Sequence, residues 1–255
     1  MSAGPEVTPR LAATTILVRA RGTQPELLLL KRGEHARFMP NAYVFAGGAL
    51  DLSDEGADVY ALCKGLDDTR ASEKLQISSN GLRFFIAAVR EAFEECGLLL
   101  AYDSRGEMVD FTSWEESRLR EIRLRVSSGA LSVSDLCTAN GWRLAVDKLA
   151  FYSHWITPPG TLRFDTRFFL CAAPPKQTPC LAGSEMSELV WRTAPEALCE
   201  HADRKLLLMY PTRMILEEIA GMQGIDELFE FAGRPRKILP ITPVLPPGAR
   251  ADRPR

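Results

Sequence analysis

The chain has no CxxC pair. Its six cysteines, Cys63, Cys96, Cys137, Cys171, Cys180 and Cys199, are scattered through 255 residues, which is neither a zinc framework nor the dense staple of a small secreted domain. No apolar run approaches the ~18 residues of a transmembrane helix. Residues 11–18 are the one signal-like stretch, but Glu6 precedes it, Arg19 and Arg21 close it, and no small-residue cleavage site follows. These absences predict buried thiols in a reducing compartment, a cytoplasmic location by default and no membrane partner. An excess of one charge is missing too. The 31 Lys+Arg against 33 Asp+Glu leave a net −2, without the basic surplus that marks a nucleic-acid binder. There is no P-loop, GxGxxG or GxSxG, and no internal repeat.

What remains is ordinary for a globular chain, 46% hydrophobic and 25% charged. Residues 1–10 read as a loose leader. Apolar runs at 14–18 and 27–30, separated by Gly22 and Pro25, predict two strands and a turn. A third strand covers 41–45, ending at Ala46-Gly47-Gly48. Residues 51–79 are polar with a short helical patch near 59–62, and read as an insertion. Helices are expected at 82–96, 114–126 and 132–140, the last capped by Ser132 or Ser134. Strands are expected at 149–157, 163–172 and 189–191, and an extended apolar run at 98–101. Pro195 suits the first turn of a helix at 196–201, and Pro211 opens another at 212–220. Residues 234–255, with six prolines and five arginines, form a tail or a surface wrap. The class is α/β or α+β: one domain over 11–233, with insertions at about 51–80 and 104–147.

The 82–96 helix carries the chemistry. At about 100° per residue, Phe85, Val89, Ala92, Phe93 and Cys96 share one side, and Glu91, Glu94 and Glu95 share the other. Like charges at this spacing repel, and glutamates near a helix C-terminus oppose its dipole. Gly97 ends the helix. A solvated acidic face would account for three glutamates with Arg90 as a partial partner. A hard divalent cation, which takes carboxylate oxygens, resolves the conflict more fully.

Arg90-Glu91-Ala92-Phe93-Glu94-Glu95-Cys96-Gly97-Leu98 resembles the second half of the Nudix box, REUxEExGU, at every specified position. Phe45-Ala46-Gly47-Gly48 is similar to the FPGG that opens it, with alanine for proline. After five intervening residues beyond Gly48 stands Asp54, where the common box has Glu. Residues 55–89, 35 in all, then replace the usual seven. An insertion at this point resembles the Nudix subfamily of the peroxisomal coenzyme A diphosphatase of animals. The likeness extends to residues 37–45, 154–159 and 163–169.

The resemblance implies a Nudix-type α/β/α sandwich with a mixed sheet. It implies a hydrolase of a diphosphate joined to a nucleoside, most of all coenzyme A or acyl-coenzyme A, using Mg²⁺ or Mn²⁺. Glu91, Glu94 and Glu95, with the Gly48 carbonyl, would ligate metal, and Arg90 would position them. Glu185 and Glu188 are the candidates for general base. Arg32, His35 and Arg37 form a basic cluster suited to substrate phosphates. Arg167 is a fourth candidate, although Arg163, Asp165 and Arg167 on one strand face also read as an ion-pair row. His154 and the four tryptophans read as packing residues. Another nucleotide substrate (an ADP-sugar, NADH or a dinucleotide) and a catalytically silent binding module are the alternatives. A homodimer is compatible with the resemblance.

Overall fold

The structure, a computed structural model, describes residues 7–36, 39–159, 162–181 and 185–244. Strand β1 (Arg10–Arg21) carries Thr14, Thr15, Ile16 and Val18, and β2 (Gln24–Arg32) carries four consecutive leucines. β-branched and apolar residues suit strands buried on both faces. They are followed by β3 (Ala42–Val44), β4 (Ala46–Ala49) and a 3-10 turn at Leu52–Asp54. Helices α1 (Ala57–Ala61) and α2 (Asp68–Leu75) lead into α3 (Leu82–Cys96). Short strands β5 (Ala101–Tyr102) and β6 (Arg143–Leu144) bracket α4 (Glu116–Ser127) and α5 (Val133–Asn140). Then come β7 (Ala150–Ile156), β8 (Phe164–Ala172) and β9 (Met186–Thr193). Helix α6 (Ala194–Ala202), β10 (Leu207–Leu208), α7 (Tyr210–Ala220) and α8 (Ile225–Gly233) complete the chain.

The β1–β2 hairpin pairs only from Val18↔Leu27 to Arg21↔Gln24, and its strands then part. The 42–49 segment fills the fork: β3 pairs with β2, and β4 pairs antiparallel with β1, placing Gly48 opposite Ala13. On its other side β1 runs parallel to β8, and β7 closes that edge. Strand β9 covers β2, and β10 lies parallel to β3. The sheet is therefore mixed, as expected.

Period-two alternation divides its faces. Ala13, Leu17, Leu28 and Leu30 pack in one core with α3 and the helices around it. Ile16, Val18, Leu27 and Leu29 pack in a second core with residues of α6, α7 and α8. The two layers of helix with a sheet between them are the sandwich that the family resemblance implies.

Differences from the sequence pattern are local. The 51–79 segment holds two helices and a 3-10 turn, because Asp67 and Asp51 each cap a turn that their flanking polar residues hide. Strand β9 extends well beyond 189–191, because Glu188 and Ser187 point to exposed positions that break its apolar pattern. Residues 225–233, where no element is expected, form α8. Residues 234–244 wrap the surface: the Ile156 N–H donates to the Ile241 carbonyl (2.9 Å), and the Ile241 N–H donates to that of His154 (2.9 Å).

Candidate active site

Helix α3 lies across β1 and β4, tied by the Thr15 hydroxyl, which donates to the Ala88 carbonyl (2.8 Å). Its acidic side is not solvated. Glu91 and Glu95 are each 8% exposed and Arg90 9%, so the solvated-face reading fails. Two glycines on β4 allow this approach. A Cβ on Gly48 would sit 2.5–2.7 Å from the Glu91 carboxylate, and one on Gly47 would meet the Ala13 carbonyl at 2.6 Å. The Gly47 N–H donates to Glu95 Oε2 (2.8 Å). Gly97 ends the helix at φ +69°, and its N–H donates to the Phe93 carbonyl (2.9 Å).

Arg90 organises the carboxylates. Its Nε and Nη2 donate to the two oxygens of Asp54 (2.8 and 2.9 Å), and Nη1 donates to Glu91 Oε1 (2.8 Å) and Glu94 Oε2 (3.3 Å). Nη2 also donates to the Ala49 carbonyl (3.0 Å). Asp54 is wholly buried and closes a capping box with Asp51, whose N–H donates to Asp54 Oδ2 (2.7 Å). No role was assigned to Asp54 from the sequence. The signal that locates it is its place after Gly48 with five residues between.

Electrostatically the cluster is strained. Burial pushes the Glu91 carboxyl up to about 7, a rise that Arg90 opposes and Glu94 reinforces. Burial raises Glu94 as well, and it raises Glu95 far more, with the Glu91 charge adding to the effect. Burial works to lower the Arg90 guanidinium, but Asp54, Glu91 and Glu94 outweigh it and hold the charge on. Among the described residues no three His, Cys, Asp or Glu groups are gathered into a ready-made metal cage. Glu91 is turned to Arg90 and Glu95 to Gly47. Each nonetheless keeps a second carboxylate oxygen, and crowded anions beside a glycine without a Cβ fit a hard divalent cation.

A cleft of about 1150 Å³ opens beside this cluster. Glu91, Glu94, Glu95, Gly48 and Arg90 line it, as do Arg32 and Glu185, whose Oε1 lies 3.4 Å from Arg32 Nη2. The other candidates stand elsewhere. Glu188 pairs in register with Lys31, on the sheet face opposite α3, and accepts a hydrogen bond from the Tyr43 hydroxyl (2.8 Å). His35 is exposed outside the cleft lining. Arg37 lies outside the described residues. Arg167 is buried on the α3 side of the sheet, outside the cleft lining, paired to Asp165 (2.8 Å) and stacked 4.2 Å over the Phe84 ring. Asp165 also meets His154, so the structure favours the ion-pair row over substrate binding at Arg167.

Comparison with known proteins fits this geometry. The model of the NUDT19 Nudix domain matches residues 7–217. The chain belongs to the Nudix family. This Nudix domain is 29% identical over 237 residues to an acyl-coenzyme A diphosphatase NUDT19 of Xenopus laevis, covering 81% of this chain and 62% of that protein. It is 29% identical to the human protein of the same name, covering 80% and 63%. Thus the chain spans less than two thirds of the length of these vertebrate relatives. A putative nudix hydrolase 7 of Caenorhabditis elegans is 28% identical over 93% of this chain and 69% of its own. Among solved structures, a NUDIX hydrolase from Alicyclobacillus acidocaldarius superposes with a TM-score of 0.72 at 26% identity, covering 88% of this chain and 96% of that one.

Proposed function

We propose that this Nudix domain hydrolyses the diphosphate of coenzyme A or acyl-coenzyme A, with Mg²⁺ or Mn²⁺ as cofactor. The observation that carries the reading is the cluster of buried Glu91 and Glu95 with half-buried Glu94, opening on a large cleft beside Gly47 and Gly48. A catalytically silent module has no use for three carboxylates held together against burial and repulsion. The vertebrate relatives are acyl-coenzyme A diphosphatases by name, which supports the choice of substrate.

Glu91, Glu94 and Glu95, with the Gly48 carbonyl, would hold the cation, which when bound neutralises diphosphate charge and lowers the pKa of a bound water. Arg90 keeps Glu91 and Glu94 in place through its grip on Asp54. Arg32 reaches the cleft as a charge for a phosphate oxygen. Glu185, exposed at the same end, takes the proton of the attacking water at its carboxylate; Glu188 does not reach this space. The free, buried thiols of Cys63, Cys96, Cys137 and Cys171 suit a reducing compartment such as the cytosol.

The test is a mass-resolved product assay with Mg²⁺ and Mn²⁺ over coenzyme A, acyl-coenzyme A, ADP-ribose, NADH and diadenosine polyphosphates. Wild type is expected to release adenosine 3′,5′-bisphosphate from coenzyme A. Glu94→Gln should lose orders of magnitude in turnover while keeping its fold. A Glu94→Gln rate within about threefold of wild type, about 0.65 kcal/mol in the barrier, would remove Glu94 from the mechanism.

A further inference from the structure

The cleft floor is built from alternate residues of two parallel strands. Arg10 is in register with Phe164, Ala12 with Thr166 and Thr14 with Phe168, and all six line the cleft. Trp155 pairs with Thr166 from the next strand, and Tyr210 stands edge-on to its ring at 6.0 Å. Among the described residues, one end of the cleft is therefore aromatic with a single cation, Arg10, set in it. Arg10 is exposed, and among the described residues no carboxylate pairs with it. The other cleft arginines differ: Arg90 is fixed on Asp54 and Arg32 faces Glu185.

We propose that this end is a subsite for the phosphorylated nucleoside of the substrate, with Arg10 pairing to a phosphate monoester on the ribose and the aromatic wall taking the base. The inference rests on the diphosphatase reading and deepens it. An acyl arm would fill an apolar lobe but has no use for an unneutralised guanidinium. A base carrying a ribose phosphate uses both, since aromatic faces accept any nucleobase and guanidinium pairs with phosphate in bidentate fashion. The spacing agrees. Gly48 lies opposite Ala13, three residues from Arg10, or about 10 Å along the strand. A diphosphate at the glutamates and a second phosphate across one ribose are separated on that scale.

Steady-state kinetics on coenzyme A and on 3′-dephospho-coenzyme A decide the matter, with wild type, Arg10→Gln and Arg10→Lys of the full chain. Arg10→Gln should raise KM for coenzyme A by about tenfold or more and leave KM for the dephospho compound unchanged, as loss of one charge-assisted contact predicts. Arg10→Lys should recover part of the loss. An equal change with both substrates, or none with either, would overturn the assignment. Calorimetric binding of adenosine 3′,5′-bisphosphate against AMP needs no turnover. If wild type cleaves neither substrate, the functional reading fails. The subsite then stands if Arg10→Gln weakens the bisphosphate alone and falls if it does not.

Discussion

Replacing Asp54 by Asn tests whether the site depends on a residue distant from it in sequence. Asp54 is wholly buried and meets Arg90 with two hydrogen bonds of 2.8 and 2.9 Å. Asn keeps the shape but loses the charge and turns an amide N–H₂ towards a guanidinium that can only donate. Breaking a buried pair by removing one partner costs about 3–5 kcal/mol. Glu91 and Glu94 still face Arg90, at 2.8 and 3.3 Å, so the lower end, about 3 kcal/mol, is the expectation. For a chain of this size that lowers Tm by about 6–12 °C. Activity should fall as well, because an unanchored Arg90 closes on Glu91 and Glu94 and competes for the oxygens that would hold the proposed cation. Calorimetry of the Asp54→Asn, Arg90→Met and double variants supplies the coupling term. A Tm loss under about 2 °C, or additive single losses, would refute the claim that this pair organises the cluster.

The two glycines of β4 should separate stability from activity. Gly47→Ala puts a Cβ against backbone atoms of Ala13 and Thr14 at 2.6–2.7 Å and should cost about 1–3 kcal/mol in denaturant melts. Gly48→Ala meets only the end of the Glu91 side chain, so it should displace that carboxylate and lower turnover while unfolding near the wild-type midpoint; the reverse pattern would refute the assignment. The metal-free protein should also lose stability as pH rises from about 4.5 towards 7. Burial lifts Glu91 to about 7 and raises Glu94 and Glu95 above their ordinary 4.5, so the folded state holds protons that the unfolded state releases. In the proposed site Mg²⁺ would bind the ionised form, so its thermal stabilisation should be larger at pH 8 than at pH 5, and equal shifts would count against a carboxylate metal site.

The carboxylate helix was readable because period, cap and motif coincide within residues 82–97, all local information. Its burial was not. What covers Glu91 and Glu95 is β4 with Gly47 and Gly48, and what neutralises Arg90 is Asp54, both contributed from the far side of the 35-residue connection. The placing of Arg167 and Glu188 failed for a related reason. Alternation tells which residues share a strand face, but the register of β8 against β1 and of β9 against β2 decides which face meets α3. Arg167, in register with Ala13, therefore falls on the α3 side against Phe84 and outside the cleft, and Glu188 falls beside Tyr43, while Arg10, in a stretch that reads as leader, lands on the cleft floor.

The insertion itself has a structural use. Extending the loop between the two halves of the box from seven residues to 35 costs roughly 1.4 kcal/mol in closure entropy. Helix α3 has no side-chain cap of its own, since Gly81 stands at its N-cap. The insertion supplies one: Asp68 of α2 accepts the N–H groups of Leu82 (2.9 Å) and Asn80 (3.0 Å), and the Ser72 hydroxyl accepts that of Gly81 (2.9 Å). Gly81 lies so near α2 that a Cβ would strike the Ser72 nitrogen at 2.4 Å. A carboxylate cap on a helix N-terminus contributes about 1 kcal/mol, and burying Ala71 and Leu75 against the α3 core adds more. The longer loop is thus offset by contacts it makes with the helix it delivers. That explains how the two halves of the box can lie so far apart in sequence while Asp54 still meets Arg90 at hydrogen-bond distance.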